Sequence, residues 1–544
     1  MAQGSGGHDA PPHQGATLRQ VATVSAVMLG SYLANFDTRL TSVGLADLRG
    51  GFSLSFDEGA WFSTATIGAQ IFIAPTVAWF FTGIGLRRVF ALPCLVFAVI
   101  SLVIPFVRNY EALIALSIVY GMLVGVFVPT TIMVAFKNLP VSWWLPVVAL
   151  YAIRVGFAIN LGPSAVGFFV QRLGWQWLYW QGVVIAPLLA VMVYVGTPQV
   201  PVNREVLKGA DWGGMLLLGT GLAMIYAGLD QGNRLDWFRS GTVISLLVCG
   251  ALLCVGFLVN EEIVERPWAR VNVLFVRNVA LALCGILVYV LVSLSNAALV
   301  PNFLASVAEL RPEQYGRVML LYGALPMVIL LPIAVFVLRH VDPRWALLLG
   351  LSAFATANLM GTRLSHDWAP GDFIPIVLLQ SLGHAFVLFP ILVIALRSLD
   401  FTKVAAFVAY VQLGRLGAAE IGVALMTTWL RVREQIHSNY LGQHVASGYM
   451  NAARVIDQLS AQLAARGHAV APARAVASLA SMVERESTVL AYIDGFWLTF
   501  WFSVCGVVFV ALIGTPPSVR FVPVPFGEWL GLRQVHLGSP ASQK

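Results

Sequence analysis

Charged side chains are scarce in this sequence. Asp, Glu, Lys and Arg make up 11% of the 544 residues, whereas hydrophobic residues make up 58%. A soluble domain carries roughly 25% charged residues, because its surface must be covered by polar groups. The shortage excludes an ordinary soluble globular protein, so lipid must be the solvent for much of the chain.

Cysteine is also rare, and the common catalytic and nucleotide-binding motifs are missing. Each of the five cysteines lies inside an apolar run, and none has CxxC or Cys/His spacing, which argues against a zinc site or a redox motif. No GxxxxGK[ST] loop is present to hold ATP phosphates, and neither HExxH nor GxSxG occurs. We therefore expect no enzyme, no metal and no cofactor, and any work must draw on an ion gradient or a partner protein.

The net charge of +7 does not indicate a nucleic-acid-binding protein. The basic residues are scattered in short loops between apolar runs, and this pattern orients membrane proteins.

Long apolar runs dominate the sequence. A window of about 19 residues predicts about fourteen membrane-spanning helices, since about 20 apolar residues cross a bilayer. The Gly-rich seventh and eighth segments also fit a re-entrant pair. The predicted spans centre on Ala34, Ile71, Val99, Val124, Ala158, Pro187, Gly221, Gly250, Tyr289, Val328, Ala355, Phe386, Gly417 and Ser503.

The distribution of basic residues predicts one orientation. The segments on the side of the N-terminus hold 16 Lys and Arg residues and the short loops on the opposite side hold 8, and such an excess belongs in the cytoplasm. With an even number of spans, both termini are then cytoplasmic and the protein is a multi-pass protein of the plasma (inner) membrane.

One long polar segment, residues 431–487, lies outside the cytoplasm in this topology. Apolar residues recur at helical spacing from Tyr449 to Leu463, which predicts a helix there. The segment is either a solvated loop or a docking surface for a partner outside the membrane.

A short repeat links the two halves of the chain. Arg154 to Ala158 in the fifth span resembles Arg415 to Ala419 in the thirteenth. Corresponding spans eight apart suggest two homologous bundles with an extra pair of helices between them, and transporters often place the substrate site between such repeats.

Ionisable residues inside apolar spans are the functional candidates, because they are costly to bury in a membrane. A lone acid such as Asp37 can load a proton on one side and release it on the other, although a static ion pair that fixes helix packing is the alternative. Glu420 is a candidate second proton site, and His384 is either functional or hydrogen-bonded to a neighbouring helix. The full set is Asp37, Arg39, Arg154, His384, Arg415 and Glu420.

Arg154 lies in the middle of its span and needs an acceptor, for which Asp37 is the nearest candidate. Arg415 and Glu420 are five residues apart on one helix, which turns them roughly 140° from each other. We therefore do not expect those two side chains to pair.

Gly162-Pro163 interrupts the hydrogen bonding of the fifth span. Proline bends a helix and glycine lets another helix approach closely, so the pair predicts a bent, tightly packed gating helix. A tolerated membrane kink is the alternative.

Several motifs resemble one transporter family. Gly162-Pro163 with Gly167 and Gly174 to Trp177 is similar to the antiporter motif of the major facilitator superfamily. Other segments are similar to motifs of its fourteen-span drug:proton antiporters, the EmrB/QacA type, and the resemblance runs from Val21 to Leu512. These segments are Phe36 to Thr38, Asp211-Trp212, Leu229 to Gly232 and Asp236 to Phe238 in an outer loop, Arg433 to His437, and Tyr492 to Trp497.

The sequence departs from that family at positions tied to coupling. Thr82 stands where the family usually has an acid, and Ser117 where it usually has an Arg associated with proton coupling. The resemblance then implies that Arg154 supplies the missing charge and tunes the proton-carrying acid. Arg39 is also unusual so close to Asp37.

The resemblance implies an all-α integral membrane protein with the major facilitator fold: two six-helix bundles plus two linker helices. The expected parts are a cytoplasmic tail (1–18), an N-terminal bundle (19–197), linker helices (198–277), a C-terminal bundle (278–513) that includes the segment 431–487, and a second tail (514–544).

The implied function is export of amphipathic drugs or toxic small molecules by proton antiport. Proton coupling falls to Asp37, Arg154 and Glu420, and the substrate pathway or gate to Arg39, Gly162, Pro163, His384 and Arg415. A periplasmic adaptor and an outer-membrane channel are implied partners. A transporter of one metabolite or siderophore, and a transport-inactive sensor or scaffold, are the alternatives.

Overall fold

The computed structural model describes residues 17–265, 267–269, 276–398, 404–446, 452–463 and 471–513. The predicted tails therefore lie outside the described residues, apart from Thr17 and Leu18. Every regular element in the described residues is helical, and a helix covers each of the predicted span centres.

The first eight long helices form the N-terminal bundle and the linker. Helix α2 bends by 50° at a short break, where Pro75 removes a backbone donor. The helices are α1 (Leu18–Val43), α2 (Phe56–Ile73 and Val77–Ile84), α3 (Arg87–Phe106), α4 (Tyr110–Asn138), α5 (Val141–Phe168), α6 (Trp177–Gly196), α7 (Trp212–Gly232) and α8 (Gly241–Ile263).

The remaining helices form the C-terminal bundle. Three of them contain a π-turn, a one-residue widening of the helix that is common at functional sites. They are α9 (Val279–Ser306), α10 (Pro312–His340), α11 (Pro343–Gly361), α12 (Ile374–Ser398), α13 (Val404–Gln412 and Ala418–Ala446, joined by a π-turn), α14 (Ala452–Leu463) and α15 (Ala471–Val510).

Eleven helices in the described part of the chain are long and apolar enough to cross a membrane, or twelve if the bent α2 is one span. Helices α1 and α11 fall outside that set because buried polar residues dilute their hydropathy, for example Asp37 in α1 and Asn358 in α11. Both α7 and α8 qualify as full spans, so the re-entrant alternative is not what the structure contains.

The helix ends define two sides of the molecule. We call the side on which α1 begins the near side and the side on which it ends the far side. On the near side Thr23 bonds Thr197 at 3.2 Å and Arg277 bonds the carbonyl of Leu512 at 3.2 Å. On the far side Arg485 bonds the carbonyl of His366 at 3.1 Å.

The two bundles meet along two seams. On one seam α5 packs against α10 and α12, and on the other α7 packs against both α2 and α13. Helix α8 packs on α7 and is otherwise mostly exposed. The two linker helices, α7 and α8, therefore cover one of the two seams between the bundles.

Helices α13 and α15 are longer than a membrane crossing requires, and their extra turns lie on the far side. At 1.5 Å per residue, the 40 residues of α15 span about 60 Å, twice the roughly 30 Å of a hydrocarbon core. Helix α14 packs on α15 and confirms the predicted helix over 452–463; residues 449–451 lie outside the described residues. We call this unit, residues 431–446, 452–463 and 471–487, the far-side hairpin.

Candidate functional site

Asp37 is buried inside the N-terminal bundle, with 2% of its surface exposed. The hydroxyl of Tyr120 on α4 donates to its Oδ1 at 2.5 Å, and Nε2 of Gln181 on α6 donates to the same oxygen at 3.1 Å. Phe97 and Tyr179 pack against the Tyr120 ring. The carboxyl is thus held by neutral donors in an aromatic cage.

Arg154 is fully buried on α5 and is not joined to Asp37. Its Nη1 donates to the backbone carbonyl of Tyr151, and its guanidinium carbon lies 3.4 Å from the centroid of the Tyr151 ring. No ion pair joins Arg154 to a carboxylate among the described residues. The expected pairing is wrong because Asp37 faces α4 and α6, whereas Arg154 lies within electrostatic range of Arg415 and Tyr289 in the other bundle.

A chain of polar contacts crosses the interface beside Arg154. The amide of Gln412 donates to the Tyr151 hydroxyl at 3.2 Å, and Nε of Arg415 donates to Gln412 at 3.2 Å. Nη1 of Arg415 then reaches Oδ1 of Asn35 on α1 at 3.0 Å. Arg415 sits in the π-turn Leu413–Gly417 of α13.

His384 lies on the C-terminal side of the same interface and is completely buried. Its Nδ1 is 2.8 Å from the Tyr289 hydroxyl and its Nε2 is 3.2 Å from the Asn296 amide nitrogen. A Cβ at Gly156 would lie 2.5 Å from its ring. His384 is therefore hydrogen-bonded to α9 and packed directly against α5.

The far half of α5 closes against the C-terminal bundle at backbone distance. A Cβ on Gly316 of α10 would lie 2.5 Å from the nitrogen of Ser164, beside Pro163, and one on Gly167 would lie 2.6 Å from the Cα of Glu313. The helix continues through Gly162-Pro163 to Phe168. The glycines therefore allow α5 and α10 to touch.

Arg39 on α1 also helps to close the far side of the interface. Its Nη2 donates to the carbonyl of Ala297 at 2.7 Å, in the π-turn Ser295–Leu299 of α9. The stem of Arg39 lies against Gly162, where a Cβ would be 2.5 Å away. These residues bring α1, α5 and α9 together and close the far side of the interface.

A second acidic cluster lies at the α2–α7 seam. The Thr64 hydroxyl donates to Asp230 at 2.5 Å, and Gln231 donates to Thr64 at 2.5 Å. Glu420 is partly buried and lies within electrostatic range of Asp230, Arg39 and Arg415, without an ion pair among the described residues. The prediction that Leu229 to Gly232 lies in an outer loop is wrong, because this stretch is the last turn of α7.

The two substituted motif positions have ordinary local bonds. Exposed Thr82 bonds the carbonyl of Trp79 at 2.7 Å. Buried Ser117 bonds the carbonyl of Leu113 at 2.7 Å, one helical turn before Tyr120. A cation at position 117 would therefore stand close to the Asp37 cage.

Two other motifs meet at the base of the far-side hairpin. Nε of Arg433 lies 2.6 Å from Asp494, and Nε2 of His437 lies 2.7 Å from the same carboxylate oxygen. Ser487 also bonds Glu434 at 3.1 Å. These contacts join α13 to α15.

Sequence reasoning missed the uncharged partners of the ionisable residues, and it missed Asp230. The missed partners are Tyr120, Gln181, Tyr289, Gln412 and Asn35. Hydrogen-bonding residues inside a span are a signal for helix contacts, but the spans contain many of them. Within the described part, no group of three His, Cys, Asp or Glu residues is placed to hold a metal ion.

Curated relatives align over most of the chain. The multidrug export protein EmrB of Escherichia coli (strain K12) is 24% identical over 95% of this chain and 97% of its own length. The EmrB of Haemophilus influenzae is 23% identical over 80% of this chain and 85% of its own length. The fatty acid resistance protein FarB of Neisseria gonorrhoeae has the same identity and coverage.

Solved structures and a family profile agree on the fold. The POT family transporter PepTSo superposes with a TM-score of 0.54 at 12% identity, over 91% of this chain and 98% of its own. A proton-dependent oligopeptide transporter superposes with a TM-score of 0.53 at 13% identity, over 91% and 98%. Residues 27–419 match the profile of the Major Facilitator Superfamily. Because that match covers well over half of the chain, this multi-pass membrane protein belongs to the Major Facilitator Superfamily.

Proposed function

We propose that the protein is a secondary active exporter that expels amphipathic small molecules in exchange for protons by alternating access. The observation that carries this proposal is the Asp37 site. Its carboxyl is buried and held by Tyr120 and Gln181, so it can exchange a proton without breaking an ion pair. A buried acid in a membrane bundle is costly, and such residues commonly form proton relays.

Glu420 is the proposed second proton carrier, and Arg154 links proton movement to the interface. Glu420 lies within electrostatic range of Arg39 and Arg415, both of which bond across the two bundles. Arg39, Gly162 and Pro163 form the proposed far-side gate, and His384 and Arg415 line the proposed pathway. A change of charge at Glu420 would act directly on the two arginines that hold the bundles together.

The direction of transport follows from the relatives. Proteins named multidrug export proteins align with nearly the full chain, which supports export. We place the protein in the inner membrane with the near side and both termini in the cytoplasm, in keeping with the excess of basic residues there.

The far-side hairpin is the proposed contact for a periplasmic adaptor that leads to an outer-membrane channel. It projects beyond the membrane and is fastened to the bundle by Asp494. Removal of α14 should lower efflux from intact cells and leave transport in proteoliposomes unchanged. Equal efflux from cells with and without α14 would argue against the adaptor.

The decisive experiment is proton-coupled transport in proteoliposomes. Asp37→Asn should abolish substrate movement driven by a pH gradient, because a neutral amide cannot carry the proton, while insertion and folding remain. Asp457→Asn, a change at an exposed position of α14, is the control. Unchanged gradient-driven transport by Asp37→Asn would remove Asp37 from the mechanism.

The same assay separates the two alternatives. Transport of a single metabolite or siderophore among a panel of cationic, neutral and anionic compounds would identify a specific transporter. The neutral Thr82 and Ser117 favour a transport-inactive sensor or scaffold, which predicts no flux of any compound by the unmodified protein.

A further inference from the structure

Helix α7 of the linker carries an exposed acid, Asp230, in its last far-side turn. The Thr64 hydroxyl of α2 donates to its Oδ2 at 2.5 Å, and the amide nitrogen of Gln231 lies 3.4 Å from the same oxygen. Its Oδ1 has no hydrogen bond to any of the described residues. Neutral donors therefore hold one carboxyl oxygen in place and leave the other able to accept a proton.

Arg234 fixes this arrangement without forming an ion pair with Asp230 in the described part of the chain. Nε of Arg234 donates to Gln231 at 2.6 Å, and its Nη1 pairs with the exposed Asp57 at 2.5 Å. Gln231 in turn donates to Thr64 at 2.5 Å. A guanidinium does not release its proton in proteins, so Arg234 holds the network in place and cannot itself pass protons on. The network therefore anchors Asp230 at the far end of α7.

Asp230 and Glu420 lie at the same level of two parallel helices. Helices α7 and α13 both run from the near side to the far side, and they pack against each other. Tyr226 of α7 and Leu416 of α13 belong to one buried cluster. Asp230 and Glu420 each follow one helical turn later on the same faces, and Glu420 lies within electrostatic range of Asp230. The two acids therefore lie opposite each other at the contact between α7 and α13.

Tyr226 supplies a hydroxyl that can complete a path between the two acids. Tyr226 is 3% exposed, and it lies within electrostatic range of both Asp230 and Glu420. Its hydroxyl has no hydrogen-bond partner among the described residues, although buried hydroxyls are normally bonded. A phenol can accept one proton while it donates another. An unbonded hydroxyl between two acids is the arrangement that a proton relay requires.

We propose that Asp230 and Tyr226 form a far-side proton relay that loads Glu420, separate from the α5 seam that gates the substrate. This inference rests on the proposed proton antiport and adds the route by which Glu420 receives its proton. Asp230 takes a proton from far-side water and passes it to the Tyr226 hydroxyl, as that hydroxyl gives its own proton to the Glu420 carboxylate. Tyr226 ends unchanged, Asp230 is ionised again and Glu420 is neutral. Glu420 then no longer attracts Arg39 and Arg415, which bond across the two bundles.

The test follows protonation of Glu420 in the full chain in lipid nanodiscs, through the carboxyl infrared band that rises after laser release of a caged proton. The band that is missing in Glu420→Gln identifies this residue. Asp230→Asn should slow the rise at least about tenfold, since a positioned proton-transfer group commonly contributes about 10²- to 10⁴-fold in rate. Tyr226→Phe, which keeps the ring, should also slow it. Asp236→Asn, an exposed far-side acid paired with Arg239, is the control and should leave the rise unchanged.

A chemical rescue separates a relay from a structural role. Asp230→Cys, in a cysteine-free background, should be as slow as Asp230→Asn. Reaction with carboxyethyl methanethiosulfonate should restore most of the rate, because it returns a carboxyl group to this exposed position. Methyl methanethiosulfonate adds no carboxyl group and should restore nothing. Asp230→Glu keeps the carboxyl group and should remain close to the unmodified rate, and Tyr226→Phe tests the same path if the Asp230 variants fail to fold.

Three results would overturn the relay: no Glu420 band in the unmodified protein, an unchanged rise in Asp230→Asn and Tyr226→Phe, or equal rescue by both reagents. Transport driven by a pH gradient in proteoliposomes tests antiport independently. If the unmodified protein transports and the rise is unchanged in both variants, the relay fails and antiport stands. If both variants slow the rise but a pH gradient drives no transport by the unmodified protein, antiport fails and the route to Glu420 stands.

Discussion

Asp37 and Arg154 illustrate how single residues are arranged in this protein. Asp37 is bonded by a phenol and an amide, whereas Arg154 is bonded by a carbonyl and an aromatic face. Asp37 and Arg154 could neutralise each other in a static ion pair, but the structure holds their side chains apart. In the proposed mechanism, Asp37 can therefore exchange its proton without first breaking an ion pair.

This separation predicts the result of two double-mutant cycles on the free energy of unfolding. Asp37→Asn and Tyr120→Phe should show a coupling energy of about 1 kcal/mol, because their side chains share one hydrogen bond. Asp37→Asn and Arg154→Gln should be additive within about 0.5 kcal/mol, because their side chains are not in contact. Denaturant unfolding in mixed micelles provides the measurement. A coupling energy above 1 kcal/mol in the second cycle would restore the Asp37–Arg154 pair.

The sequence identified the buried ionisable residues but not their partners. Asp37, Arg154, His384 and Arg415 stand out because charges are rare inside apolar spans, and the structure finds all four buried. Which way each one faces depends on helix packing and on π-turns, and neither follows from spacing alone. The spacing did indicate that Arg415 and Glu420 would not pair, and no ion pair joins them in the described residues.

At the scale of helices, the contact between α5 and α10 is the part of the interface with the least room. The nearest atoms to a Cβ on Gly316 belong to the backbone of α5, which cannot rotate away as a side chain can. The closed arrangement of the far side therefore requires a glycine at this position.

Gly316→Val should hold the far side open and reduce transport about fivefold or more, since overpacking commonly costs about 1–3 kcal/mol. A reporter cysteine at buried Asn160, in a cysteine-free background, should then react faster with a membrane-impermeant maleimide applied from the far side. Gly371→Val is the control, because nothing lies within 4 Å of a Cβ there. Unchanged labelling and transport in Gly316→Val would show that the contact is not part of the gate.

The short far-side helix Leu45–Phe52 adds a pH-sensitive contact to the closed gate. Burial raises the pKa of Asp47 above its ordinary value, Arg311 just before α10 lowers it in part, and Glu313 raises it. An acid whose pKa is raised in the closed state favours that state when protonated. The stabilisation is fully present below the ordinary pKa and is lost as the far-side pH rises through the raised value.

Opening of the far side should therefore increase as the far-side pH rises from acid towards neutral, by less than about tenfold because Asp47 is only partly buried. The maleimide rate at Asn160→Cys, divided by the rate at exposed Ser481→Cys to remove the intrinsic pH dependence of thiols, measures this opening. Asp47→Asn should flatten the ratio across pH. A slope that persists in Asp47→Asn would assign the effect to another group.

Helix positions were predictable because lipid exposure requires long apolar runs, and each predicted centre lies in a helix. Helix α1 was predicted correctly, although the polar residues that it turns inward lower its hydropathy. One assignment was wrong, and it has a physical cause. Asp230 was assigned to an outer loop because its segment resembles a loop motif of the drug:proton antiporters, but Thr64 and Gln231 satisfy it inside the last turn of α7.

On the scale of the whole molecule, the two seams differ in construction. The α5 seam is closed by direct contact between the bundles, with glycine allowing the close approach. The other seam is covered by α7, which touches α2 in one bundle and α13 in the other. The linker helices therefore couple any movement at this seam to Asp230 and Thr64.

The far-side hairpin gives a test of the proposed orientation of the whole chain, which is the last prediction. Ser481 is exposed on α15, beyond the length of helix that a bilayer accommodates. In a cysteine-free background, Ser481→Cys should react with a membrane-impermeant thiol reagent in intact spheroplasts, because the short loops on the opposite side are the richer in basic residues. Thr82→Cys, exposed on the near side, should react only after lysis. The reverse labelling pattern would invert the topology. The far-side gate would then face the cytoplasm, and its closed contact would block entry of substrate from the cytoplasm instead of from the exterior.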